Sequence, residues 1–178
     1  MIESIIVAVV ALVLAFLLLV STRPGTLHVE RSASIAAPAA GIFPLLNDFR
    51  QWTRWTPYDK DPAMQKTYSG SESGEGAHYA WSGNKSVGQG EITIVESRAP
   101  GRLLMDLHMI RPFEARNVAS FTLNPEGQAT RVTWALDAPQ NFMAKLASLF
   151  MNMDRMIGQD FEIGLANLKR VFESRAGR

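Results

Sequence analysis

The chain has 178 residues, a formal net charge of +1 and no cysteine. That length holds one domain of ordinary size with an appendage. The near-neutral charge excludes the broad basic field that draws in nucleic acid, and the lack of cysteine excludes disulfides, thiolate metal sites and a thiol nucleophile.

Ile5 to Val20, IIVAVVALVLAFLLLV, carries no polar side chain. As a helix this run rises about 24 Å, and Met1–Ser4 with Ser21–Thr22 extend it to the roughly 30 Å of a hydrocarbon core. A cleaved signal peptide would open with basic residues and close on a small-residue cleavage site. Here the one charge before the run is Glu3, and LVSTRPG follows it. A buried core helix would show a polar stripe. Residues 1–22 are therefore expected to form a single-pass membrane anchor. Arg23 and Arg31 follow the span and no Lys or Arg precedes it. The positive-inside bias then places the remainder of the chain on the cytoplasmic side. Residues 23–26 read as a short linker, with a turn at Arg23–Gly25.

From Leu27 the pattern alternates. Leu27, Val29, Ala33 and Ile35 share one face with Arg31, opposite His28, Glu30, Ser32 and Ser34, which predicts a half-buried strand. AAP at 36–38 ends it. Ile42, Phe43, Leu45, Leu46, Phe49 and Trp52 then recur at helical spacing, so 39–55 reads as one or two short helices closed by Pro57. Six further strands follow, separated by turn signals such as APG and NPEGQ. They fall in QKTYSG, SGEGAHYAWSGN, GQGEITIVESRAPG, RLLMDLHMIRP, EARNVASFTLNPEGQ and TRVTWALDAP. Each has an apolar and a more polar face, as in an antiparallel sheet covered on one side. The cover is expected from the last segment, with Asn141 as its N-cap. There Phe142, Leu146, Leu149, Met153, Ile157, Gly164, Leu168 and Val171 recur at three- and four-residue steps, a stripe of about eight turns. Gly158 and Gly164 would let that helix approach the sheet closely, at about 1 kcal/mol each in helix propensity. The fold class is α+β.

Strand, two short helices, six strands and a long helix, carried by HVERSASIAAPAAGIFPLLNDFRQWTRWTPYDK, YSGSESGEGAHYAWSGN, VTWALDAP and DFEIGLANLK, resemble the helix-grip fold of the START-like superfamily. This is the SRPBCC or polyketide cyclase/dehydrase-like group. The resemblance spans residues 27–175 and leaves 176–178 as a tail. It implies a curved antiparallel seven-stranded sheet wrapped on a long C-terminal helix, with two short helices after the first strand. It further implies a deep cavity between sheet and helix, its mouth near the short helices. The group contains lipid carriers, hormone receptors, cyclases and chaperone co-activators, so the fold alone leaves the function open.

Within that frame Trp52 and Trp55 lie at one end of the cavity, either as packing or as a gate. By strand phase Tyr79, Trp81, Phe121 and Trp134 face inward, as core if the interior is solid and as ligand walls if it is hollow. Met105 on a strand and Met153 on the helix are adaptable apolar lining or gap-fillers. Asn117 and Asp160 are the polar groups that could face inward, with Asp160 either acting as an acid or pairing with an Arg such as Arg31 or Arg116. His28, His78 and His108 all take the outward phase, and no HxxH spacing, phosphate-binding Gly-rich loop or G-x-S-x-G occurs. Neither a metal nor a cofactor is therefore expected. The functional expectation is a membrane-tethered module binding a hydrophobic small molecule or lipid, with no nucleic-acid partner. The alternatives are a cyclase/dehydratase-type enzyme using Asp160, Tyr79 or Asn117 on an apolar polyketide-like substrate, and a chaperone-co-activator-like interaction domain.

Overall fold

The computed structural model describes residues 2–176. Of the expected tail, Ala176 is helical and 177–178 lie outside the described residues. The elements in chain order are α1 (Ile2–Ser21), β1 (Thr26–Ile35), α2 (Ala39–Asn47) and a 3-10 helix (Phe49–Arg54). Then come β2 (Gln65–Gly70), β3 (Ala77–Ser82), β4 (Gln89–Arg98), β5 (Arg102–Arg111), β6 (Ala115–Glu126), β7 (Ala129–Pro139), α3 (Phe142–Ala147) and α4 (Met153–Ala176). The strands form one antiparallel sheet in the order β1-β7-β6-β5-β4-β3-β2. Successive strands from β2 to β7 are hairpin neighbours, and β1 closes the far edge on β7. The expected strands and short helices are all present.

The sheet curves. Register shifts in the β4–β5 pair at Gln89/Gly90 and Ile94/Glu96 each add local bend and twist. Its inner face carries the alternating apolar residues, with Ile94, Leu103, Met105, Phe121 and Val132 fully buried against the helices.

The C-terminal segment departs from expectation, because it is two helices rather than one. Asn141 Oδ1 accepts from the Ala144 amide at 2.9 Å and starts α3. The chain leaves the helix after Ala147, and Asn152 Oδ1 accepts from the Arg155 amide at 2.9 Å to start α4. An Asn side chain that satisfies backbone N–H groups favours a new helix start over a continuing one. The apolar period carries straight through this break, so periodicity did not reveal it.

α4 packs chiefly on β1, with lesser contacts to β7 and the 3-10 helix. Arg31, on the inner face of β1 opposite Trp134, fastens it. Its guanidinium donates to both carboxylate oxygens of Asp154, at 3.0 and 3.2 Å, and to Glu162 at 3.0 Å. Gly158 makes room for this clamp, since a Cβ there would run into the guanidinium. At Gly164 a Cβ would stand 2.8 Å from the Trp134 ring and 3.1 Å from Pro57. Both glycines therefore allow close helix–sheet approach.

Candidate functional site

Trp52 and Trp55 are positioned by α2. A helix leaves its last carbonyls without intrahelical partners. Here the Trp52 indole donates to Leu46 O at 2.9 Å and the Trp55 indole to Leu45 O at 3.1 Å. Asn167 on α4 in turn donates to Trp55 O at 3.2 Å, which ties the 3-10 helix to α4. The pair thus caps α2 with its N–H groups and fills the core with its rings.

The interior behind the pair is solid. Trp55 lies 5.8 Å from Phe121 and 5.5 Å from Trp134, Phe121 lies 5.0 Å from Trp134, and Phe161 of α4 stacks on Trp134 at 4.1 Å. Trp55, Met105 and Phe121 are 0–1% exposed, so no water-sized space adjoins them. Trp55, Met105, Phe121 and Trp134 thus lie in the buried core.

The other expected aromatics behave differently. Tyr68, Tyr79 and Trp81 form a stacked row along β2 and β3, with centroids 5.2 and 5.6 Å apart, and all three are half-buried. Phe49 joins this row to Trp52, 5.9 Å from Tyr79 and 4.9 Å from Trp52. Trp81 lies across Gly90 of the neighbouring strand, where a Cβ would meet its ring, and its indole donates to Val87 O at 3.1 Å. Leu107, Met109 and Asn117 continue the same inner face and are also half-buried. The concave face is therefore closed toward β1 and β7, where α4 covers it, and forms a half-buried apolar groove at Tyr68, Tyr79, Trp81, Leu107 and Met109, while Ile92 and Ile94 of β4 are buried. Burial pushes the Tyr79 phenol above its ordinary range, and Tyr68 and Asp59 push it further, so at neutral pH it stays a neutral hydrogen-bond donor.

Asp160 pairs with Lys60 at 3.1 Å, not with an arginine. Arg31 is already held by Asp154 and Glu162. Met153 stands at the start of α4, half-buried, and lines a cleft of about 460 Å³ with Arg23, Leu27 and the α3–α4 turn. A second cleft of about 470 Å³ lies on α2 and the 3-10 helix, at Phe43, Asn47 and Arg54. Neither cleft gathers the expected aromatics.

Sequence reasoning passed over the strap between the 3-10 helix and β2, residues 56–64. Lys60 reaches Asp160 on α4, and Asp59 pairs with Lys66 of β2 at 2.6 Å. The buried Asp61 accepts from the Asn84 amide of the β3–β4 turn at 2.8 Å. Since α4 sits over one edge of the sheet and β2 is the other edge, a segment bonded to both crosses the groove. The available signal is the run of opposite charges in YDKD, which shows no periodicity.

The histidines lie on the outer face. His28 shares a 2.7 Å hydrogen bond with Asp137, and His78 and His108 flank Glu91 at 3.5 and 3.1 Å. The His108 hydrogen bond, supported by His78, holds the Glu91 carboxyl below its ordinary range.

The geometry can now be set beside known proteins. A family profile described as polyketide cyclase/dehydrase and lipid transport matches residues 26–173. The chain belongs to that family. The match begins at β1 and leaves α1 outside it. No curated protein matches in sequence. Among solved structures, a protein from Nitrosospira multiformis is 17% identical, with TM-score 0.62, covering 85% of this chain and 100% of its own. A protein from Thermobifida fusca is 23% identical, with TM-score 0.61, covering 82% and 92%. An Aha1 dimer from Colwellia psychrerythraea is 14% identical, with TM-score 0.59, covering 83% and 96%. At these identities the likeness to the solved structures is one of fold. The helix-grip architecture, with its N-terminal apolar helix, is thus the form this family takes here.

Proposed function

We propose that the protein is a membrane-tethered binding module for a hydrophobic small molecule or lipid, held on the half-open groove of the sheet. The observation that carries this reading is the split in burial along one continuous inner face. Trp55, Phe121 and Trp134 are sealed, while Tyr68, Tyr79, Trp81, Leu107 and Met109 remain half-buried, with Phe49 of the 3-10 helix reaching Tyr79 at 5.9 Å. Apolar surface left half-covered in a concavity is the usual character of a small-molecule site. Tyr79 supplies a neutral donor, and Asn117 a polar group on the same face. The family description, which couples cyclase chemistry with lipid transport, supports an apolar ligand. The tether is α1, 20 residues long with a mean hydropathy of 3.1 over its most apolar window. Its rise of about 30 Å matches a bilayer core.

The test uses residues 24–178, which contain the whole family match at 26–173. A brominated fatty acid quenches tryptophan on contact. Saturable quenching is expected, lost in Trp81→Phe and kept in Trp55→Phe. No quenching, or quenching that survives Trp81→Phe, would remove the groove as the site.

A further inference from the structure

We propose that the end of the domain next to α1 is a bilayer-docking face, in which Phe113, Phe142, Met143 and Phe150 enter the headgroup region and turn the open end of the groove onto the lipid. This rests on the reading of α1 as a membrane span.

Strand register fixes which loops share that end. Thr26 pairs with Pro139, Met109 with Ala115, and Gln89 with Arg111. The start of β1, the exit of β7 and the β5–β6 turn therefore lie at one edge of the sheet. β6 stands two strand spacings from β1, about 10 Å. Phe113, at the tip of the β5–β6 turn, is 82% exposed. Phe150, in the α3–α4 turn, is 80% exposed and lines the cleft shared with Arg23 and Pro24 of the linker. Phe142 and Met143 are exposed on α3. The loops at the opposite end, Ser71–Gly76, Ala99–Gly101 and Gly127–Gln128, expose no large apolar side chain among the described residues. The three most exposed large apolar side chains outside α1, Phe113, Phe150 and Met143, thus share one end, a clustering that marks a patch rather than scattered single residues.

The occupant of this face is set by the chain itself. α3 touches α1, Val20 is the buried residue of α1, and Lys145 on α3 donates to Ser21 O at 3.4 Å. Gln140 donates to Gly25 O at 2.8 Å, so the linker is also held to the end of β7. Thr22–Gly25, four residues between α1 and β1, reach at most about 14 Å. With α1 in a bilayer, α3 and the α3–α4 turn stand at headgroup level, where Phe and Met are stabilised by burial and Arg23, Lys145 and Arg111 face phosphate. The same end holds Trp81 and Met109, the open part of the groove floor.

The chain has no native cysteine, so single labels report single positions. The full chain is placed in phosphatidylcholine nanodiscs with an environment-sensitive fluorophore at Phe113→Cys, Phe150→Cys, Gln128→Cys or Leu12→Cys, and lipids bearing a nitroxide either near the headgroup or at the end of an acyl chain are added in separate samples. Quenching by the headgroup nitroxide several-fold stronger at 113 and 150 than at 128 is expected, together with quenching at 12 by the acyl-chain nitroxide. Labels at 113 and 150 no more quenched than that at 128, with 12 quenched, would overturn the docking face and leave the tether standing. Quenching at 150 alone would overturn the orientation, since the β5–β6 tip would then be lifted from the lipid. A label at 12 that the acyl-chain nitroxide leaves unquenched would remove the span on which the proposal rests.

Discussion

Gly164 and Gly41 show how far a residue's role depends on what lies beyond its missing side chain. Both sit in helices, where glycine is less favourable than alanine by about 1 kcal/mol. At Gly41 the nearest atoms to an added Cβ are 3.9 Å away, an ordinary contact. Gly41→Ala is thus expected to raise stability by about 0.5–1 kcal/mol. At Gly164 the Cβ would press on Trp134, which cannot retreat because Phe161 stacks on it at 4.1 Å. Overpacking of this kind costs about 1–3 kcal/mol, so Gly164→Ala is expected to lose about 1–2 kcal/mol despite its gain in helix propensity. Urea denaturation of residues 24–178 reads both signs, and a Gly164→Ala protein as stable as the parent would show that the helix can shift to accept the methyl. The close approach at Gly164 was legible in sequence as a glycine on the apolar stripe. That Trp55, Phe121 and Trp134 fill their own space was not, because strand phase tells which way a side chain points and nothing of what meets it there.

At the scale of elements, alternation and turn chemistry gave every strand, because each β-strand here is half-buried and period two is then enforced by solvent. The helical break at 148–152 and the strap at 56–64 were hidden for the opposite reason: both are held by side-chain hydrogen bonds between residues far apart or off the period. The strap bears on how a ligand enters. Its Lys60–Asp160 pair is partly exposed, and such pairs contribute only about 0.2–1 kcal/mol. Asp160→Asn should therefore change global stability little but free the α4 side of the strap. Hydrogen exchange of the amides in 58–63 is expected to speed up, and the fatty-acid association rate to rise. Exchange unchanged at those amides would mean that the Asp59–Lys66 and Asp61–Asn84 contacts alone hold the strap, and that it is no gate.

For the whole molecule the decisive strand is β1, which follows directly on α1 and lies at the edge of the sheet. It is fastened on two sides by charge. On the outer face His28 bonds Asp137 of β7, with Glu30 nearby at 3.7 Å, and on the inner face Arg31 bonds Asp154 and Glu162 of α4. These fastenings answer to pH in opposite directions. The Asp137 hydrogen bond raises the His28 pKa above its ordinary 6.5, so its stabilisation is full below 6.5 and is lost as pH rises through the raised value. The Arg31 hydrogen bonds lower the Asp154 pKa below its ordinary 3.8, so that stabilisation is full above 3.8 and is lost as pH falls through the lowered value. Between pH 3.8 and 6.5 both act together. The stability lost in Asp137→Asn should accordingly be largest below pH 6.5 and shrink toward alkaline pH. The loss in Asp154→Asn should hold at neutral pH and shrink only in acid. Both losses should weaken as salt is added, since the groups are exposed to solvent. Denaturation midpoints of the parent and the two variants across pH measure this directly. Losses that do not change with pH would show that the two carboxylates act on β1 through packing rather than charge.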